Sequence, residues 1–162
     1  PSDSSTNLGP MAREDLRDEV HEQVKASVRA GAECVLGGTI PNQPGAWYPP
    51  TVLTGVKKGM PAFDEEIFGP VAAIITADNE DHAIKLANDS RYGLGAAIFT
   101  KDVDKGRKIA AEKLEAGCCF VNEYVRSDPR LPFGGIKMSG YGRELSPLGI
   151  KEFVNIKTVY VK

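Results

Sequence analysis

The sequence predicts an α/β fold: a parallel-type sheet with helices on both faces, followed by a short C-terminal strand. Three observations carry this. Residues 71–76, 94–100 and 118–122 are apolar runs with little alternation, as expected of strands buried on both faces. Helical patterns lie between them, so the order is strand, helix, strand, helix, strand, the alternation that builds parallel sheets. The last segment, KEFVNIKTVYVK (residues 151–162), is rich in β-branched residues and has period-two character. The 162 residues suit one domain with a real core. The main body is set at residues 1–150 and the terminal strand at 151–162.

Each element has a local reason. Residues 1–10 are polar, end in Gly9-Pro10, and read as a loop delivering a helix. Residues 11–30 carry Leu16, Val20, Val24 and Val28 at i+4 steps, with acids at the start and bases at the end, complementing the helix dipole. Gly31 is placed to end that helix, and residues 33–36 form a short strand closed by Gly37-Gly38. Residues 39–50, TIPNQPGAWYPP, hold too much Pro and Gly for regular structure; a second short strand starts at Thr51. Asp78 or Asn79 caps the helix carrying Ala83, Ile84, Leu86 and Ala87, and Asp102 caps the next. After Asn122 comes a long Gly-rich stretch, EYVRSDPRLPFGGIKMSGYGREL, at the carboxyl end of a strand, where open parallel sheets bind ligands. A strand ending on lysine, such as residues 151–162, can pair with another subunit's sheet edge.

The bulk chemistry excludes several classes. A net charge of -2 gives no general pull toward nucleic acid or anionic membrane. No apolar stretch approaches a membrane span, and the N-terminus lacks a signal-peptide pattern. Three cysteines, two of them adjacent, make a poor disulfide framework, which points to a cytoplasmic setting. No metal-ligand spacing is present, and His21 and His82 read as solvated helix residues.

Two stretches can carry chemistry. In DEEIFGPV (residues 64–71), Glu65 and Glu66 are adjacent and point apart if extended, so one can face solvent and the other a cleft. A carboxylate accepting two hydroxyls suits a ribose diol, and Phe68 can pack against a flat ring. The plainer reading is a charged loop before a strand. Arg126, Ser127 and Arg130 can anchor a substrate carboxylate by charge-assisted hydrogen bonds; the alternative is surface charge on a loop. LPFGGIKMSGYGRE is neither a dinucleotide fingerprint nor a Walker loop, so its glycines read as packing devices, with Phe133 at the loop's rim. Cys118 and Cys119 sit in a strand setting, where cysteine behaves as a small apolar residue rather than a nucleophile.

Four motifs in order resemble the aldehyde dehydrogenase family: EEIFGP (65–70), ANDSRYGL (87–94), G-x-x-x-V-N (117–122) and PFGGIKMSGYGRE (132–144). The match covers essentially the whole chain, as roughly the last third of such an enzyme. The ending, GRELSPLGIKEFVNIKTVYVK, is most similar to the succinate-semialdehyde dehydrogenase-like branch. The resemblance implies that Glu66 binds the nicotinamide ribose of NAD or NADP and that Phe68 lies beside the nicotinamide. It implies that Phe133 lines the substrate tunnel and that Ser127, helped by Arg126 or Arg130, holds a distal carboxylate. It also places the nucleophilic cysteine, the base and most of the cofactor domain upstream of Pro1, so no catalytic residue is expected among these 162. Residues 1–150 then form the C-terminal part of the catalytic domain and 151–162 the oligomerisation strand of a dimer or tetramer. The reading is a fragment of an NAD(P)-dependent enzyme oxidising an aldehyde, inactive alone. The alternative is a stand-alone, non-catalytic assembly module of the same fold.

Overall fold

The computed structural model describes residues 3–162; the first two residues of the expected N-terminal loop lie outside them. The chain divides into two compact units, meeting in sequence between Ala77 and Asp78.

The first unit is built on helix α1 (Glu14–Arg29), strands β1 (Glu33–Leu36), β2 (Thr51–Thr54) and β3 (Val71–Ala73), and a one-turn helix α2 (Pro61–Asp64). The sheet order is β1-β2-β3, with β1 antiparallel and β3 parallel to β2. Leu53, with no exposed surface, is the centre of a core that includes Val24, Ala32, Val56 and Met60. The α1 stripe departs from the expected i+4 ladder at its end. Val20 and Val24 are buried, but Val28 is 40% exposed and Ser27 is buried in its place. Steps of four overrun a helix of 3.6 residues per turn, so the stripe drifts. Ser27 tolerates burial because its hydroxyl donates to the Gln23 carbonyl at 2.9 Å and accepts from the Ala62 N–H at 2.9 Å, tying α1 to α2. Residues 39–50 hold no regular element, as expected, yet Ala46 and Tyr48 are buried. Arg17 Nη1 donates to the Gly45 carbonyl at 2.8 Å and fixes this loop on α1.

The second unit contains α3 (Glu80–Asn88), β4 (Tyr92–Gly93), β5 (Gly95–Ile98), α4 (Val103–Glu112), β6 (Cys118–Val121), β7 (Ile136–Lys137) and α5 (Ser146–Lys151). Both expected caps form: Asn79 Oδ1 accepts from His82 N at 2.9 Å, and Asp102 Oδ1 accepts from Lys105 N at 3.0 Å. Strands β5 and β6 pair in parallel, and α4 packs on both. Gly106 permits that packing, since a Cβ there would meet Thr100 at 2.7 Å and Val121 at 2.9 Å. Asn122 extends the pair beyond its last residue. Its Oδ1 accepts from Thr100 N at 2.7 Å and its Nδ2 donates to Thr100 O at 2.8 Å, copying a strand's own bonds. Strands β4 and β7 form a small antiparallel pair.

One expectation is corrected. The runs at 71–76, 94–100 and 118–122 do not form one parallel sheet: β3 belongs to the first unit's sheet, while β5 and β6 form a two-stranded sheet of their own. Apolar runs identify strands but carry no information about partners, and here β2 takes β3. In the single chain Lys151 ends α5, and residues 155–162 have no regular structure and are exposed; a strand needs a ladder partner, and none of the described residues supplies one. The α/β class itself holds.

Candidate functional site

The DEEIFGPV segment is fixed by α1. Gln23 Nε2 donates to Glu65 Oε2 at 3.0 Å and to the Glu66 carbonyl at 3.2 Å. One glutamine side chain thus occupies the first carboxylate and holds the backbone of the second. The Glu66 carboxylate is exposed and has no hydrogen bond or ion pair among the described residues. Phe68 follows with 79% of its surface exposed. Gly69 is required by contact as well as by the turn: a Cβ there would stand 2.9 Å from Val20 Cγ2 on α1. The segment therefore presses on the helix at Gly69 while presenting a free acceptor and an open aromatic face. Such a pair fits a diol joined to a flat ring.

The other four candidates belong to the second unit. A cleft of about 400 Å³ is lined by β6 and by Arg126, Asp128, Leu131, Pro132 and Phe133. Arg126 and Phe133 are thus brought to one cavity, while Ser127 and Arg130 do not line it. Phe133 is held by reciprocal backbone bonds with Glu144, at 2.9 and 2.8 Å. The loop crosses the start of β6 so closely that a Cβ on Gly117 would collide with the Gly134 carbonyl, backbone against backbone. Lys137 anchors the far side: its Nζ donates to the carbonyls of Asn88 (2.9 Å) and Ser90 (3.2 Å) and pairs with Glu115 at 2.8 Å. Gly134 and Gly135 are packing devices, a Cβ on them meeting Gly142 O at 2.7 Å and Ser139 Cβ at 2.5 Å, while Gly140 serves the backbone with its φ of 107°.

The two arginines differ. Arg130 is forked onto Asp128, with Nε to Oδ1 at 2.9 Å and Nη2 to Oδ2 at 2.6 Å. The Arg130 fork, helped by the Arg130 backbone N–H, holds the Asp128 carboxyl well below the usual carboxylate range, and the same pairing raises Arg130. Arg126 pairs only loosely, with Nη2 3.4 Å from Glu123 Oε2. Ser127 is exposed, and its hydroxyl makes no hydrogen bond among the described residues. Cys118 and Cys119 both line the cleft, and burial pushes the Cys119 thiol up. Among the described residues no three His, Cys, Asp or Glu side chains converge as metal ligands would, and no helix is long and apolar enough to cross a membrane.

Sequence reasoning did not find Gln23 or Asp128. Nothing in α1 marks Gln23, whose part depends on the docking of a segment more than forty residues away. Asp128 did leave a signal: an Asp before Pro, two residues ahead of an Arg, is a turn former with a partner in reach.

The fold belongs to a known class. This chain is a member of the aldehyde dehydrogenase family, whose model matches residues 1–159. It is 54% identical over 160 residues to the succinate semialdehyde dehydrogenase (NAD(P)+) Sad of Escherichia coli, covering 99% of this chain and 34% of that protein. A probable succinate-semialdehyde dehydrogenase (NADP+) of Synechocystis is 48% identical, with 35% of its length covered. Among solved structures, the succinic semialdehyde dehydrogenase of Streptococcus pyogenes in complex with NADP+ superposes with a TM-score of 0.94 at 44% identity, over 98% of this chain and 35% of that one. The chain spans about a third of the length of the curated relatives it matches.

Proposed function

We propose that these residues serve as the C-terminal third of an NAD(P)-dependent aldehyde dehydrogenase that oxidises succinate semialdehyde to the carboxylic acid. The observation that carries the reading is the division of labour at residues 65–68. Gln23 occupies Glu65 and leaves the Glu66 carboxylate unpartnered beside an exposed Phe68. A free carboxylate next to an open ring is a fitting clamp for a nicotinamide riboside. NAD and NADP both fit, because this clamp would grip the half of the cofactor that they share. When bound, the cofactor supplies the hydride acceptor.

This chain's own residues bind and orient. Glu66 accepts hydrogen bonds from the ribose hydroxyls, and Phe68 packs against the ring's side. Phe133 and Arg126 line the aldehyde's cleft, and the exposed hydroxyl of Ser127 is available to a distal carboxylate. The Cys118 thiol faces the carbonyls of Pro132 (4.0 Å) and Gly134 (3.9 Å) and burial pushes the Cys119 thiol up, so neither is read as the nucleophile and the reacting thiol is assigned to another part of the enzyme. The isolated 162 residues are accordingly inactive. The tail at 151–162 exposes Phe153, Ile156, Val159, Tyr160 and Val161, and is read as a strand awaiting another subunit's sheet edge in a dimer or tetramer.

The test is aldehyde-dependent reduction of NAD+ and NADP+ by the full-length protein and by the 162-residue chain. Turnover is expected of the first and not of the second. Glu66→Gln in the full-length enzyme should weaken cofactor binding by about tenfold with the fold intact. Turnover by the short chain, or an unchanged cofactor affinity in Glu66→Gln, overturns the reading. Self-association without any turnover by the full-length protein would favour an assembly module.

A further inference from the structure

We infer that Arg130 does not hold substrate but neutralises Asp128 in the wall of the aldehyde cleft, leaving Arg126 as the guanidinium available to an anionic substrate. The inference rests on the reading above that the substrate carries a distal carboxylate.

The geometry separates the two arginines. Both arms of the Arg130 fork are committed to Asp128, at 2.9 and 2.6 Å, and its backbone N–H reaches the same Oδ1 at 3.0 Å. The donors that this pair leaves over, on Nη1 and Nη2, belong to a side chain that does not line the cleft. The turn is fixed further by Leu131 N to the Asp128 carbonyl at 2.9 Å and by Ser146 N to the Pro129 carbonyl at 3.0 Å. Asp128, not Arg130, lines the cleft, together with Arg126 and Phe133. A bare carboxylate in that wall would repel an anionic substrate. Arg130 cancels it from outside the cavity, where 86% of its side chain is open to solvent. Arg126 lines the cavity with only a loose partner, 3.4 Å away. Arg130 is therefore a positioning residue, acting on substrate through Asp128.

This predicts a pattern of KM values in the full-length enzyme, measured for succinate semialdehyde and for butanal, a neutral aldehyde of equal chain length. Arg130→Gln should raise KM for the anion by roughly three- to tenfold, the size of one partly screened charge nearby, and barely move KM for butanal. Adding Asp128→Asn should return the anion's KM to near the wild-type value, because both charges are then gone. Arg130→Lys, which keeps the charge without the fork, should also stay near wild type and serves if the glutamine variant folds poorly. If the double variant stays as impaired as Arg130→Gln, Arg130 is a direct ligand and the inference is wrong. An unchanged KM in Arg130→Gln overturns it as well. If the wild type shows no preference for the anion over butanal, the substrate reading fails first and this role falls with it.

Discussion

The two units keep their shape by different means. In the first, Val20, Val24, Ala32, Ala46, Tyr48, Leu53, Val56 and Met60 are all buried. In the second, Ile109 is the only hydrophobic residue among those described that reaches the same class, while Phe99, Tyr124, Leu131, Met138, Tyr141, Ile150, Phe153 and the whole tail are exposed. The second unit is instead pinned by polar side chains on backbone groups: Asn88 on Lys113 and Glu115, Asn122 on Thr100, Lys137 on three acceptors, Arg143 on Gly135 and Gly142. The lesson is that burial and polar pinning do different jobs. Burial gives the first unit a centre. Pins set loop geometry at a cleft without filling it, which leaves apolar faces for something else to cover.

The largest expected effect separates the two directly. Leu53→Ala removes a side chain with no exposed surface and should cost about 2–5 kcal/mol. Ile109→Ala, at a side chain that lines a cavity and keeps 9% of its surface exposed, should cost less, about 1–2 kcal/mol. Denaturant unfolding checks both, and Trp47, the single tryptophan, reports the first unit. Equal costs would break the comparison.

Next in size is Gly69→Ala. The new Cβ would press on Val20, a β-branched side chain buried to 2% on a helix, and it has little room to give way. Overpacking of this kind costs about 1–3 kcal/mol. Val20→Ala in the same chain should recover part of the loss, and a double-mutant cycle measures how much. Strict additivity of the two changes would show that Gly69 serves the turn alone.

Lys137→Met tests the other means. Its ammonium is 26% exposed and makes two bonds to carbonyls and one ion pair, so the loss should be about 1–2 kcal/mol, felt locally. Hydrogen exchange should speed up at Met138 and Ser139, whose amides bond to Arg91 and Ile136, and leave β2 unchanged. Added salt should mimic the variant weakly in the second unit and do nothing in the first. Faster exchange in β2 would mean that the pins are not local.

The same division explains how much was legible in the sequence. Helix α1, the caps at Asn79 and Asp102, and the strands at Thr51, Gly95 and Cys118 could be read because periodicity and capping are local properties. Strand partners could not, since the runs that become β3 and β5 look alike. Helices α2 and α5 are too short to show a period, and α5 took the first residue of an apparent strand. At the candidate site, Glu66, Phe68 and Phe133 are nominated by motifs. Gln23 and Asp128 are not, because their roles arise only when a turn or a docked segment brings a partner within 3 Å.

The smallest effect concerns the Asp128–Arg130 pair, and it sharpens what a pin can do. The folded-state pKa of Asp128 is depressed, chiefly by the Arg130 fork. The pair's stabilisation is therefore fully present above the ordinary carboxylate value of 3.8 and is lost only as pH falls below it. Because the pair is exposed, overall stability should hardly register this. The local signal should be clear. The Asp128 carboxyl resonance should stay that of the anion at pH values where ordinary exposed carboxylates have begun to protonate, and Arg130→Gln should bring its midpoint back toward the ordinary range. An ordinary midpoint in the wild type would mean that the fork opens freely in solution. Asp128 would then be a solvated surface charge, and the second unit would have one pin fewer.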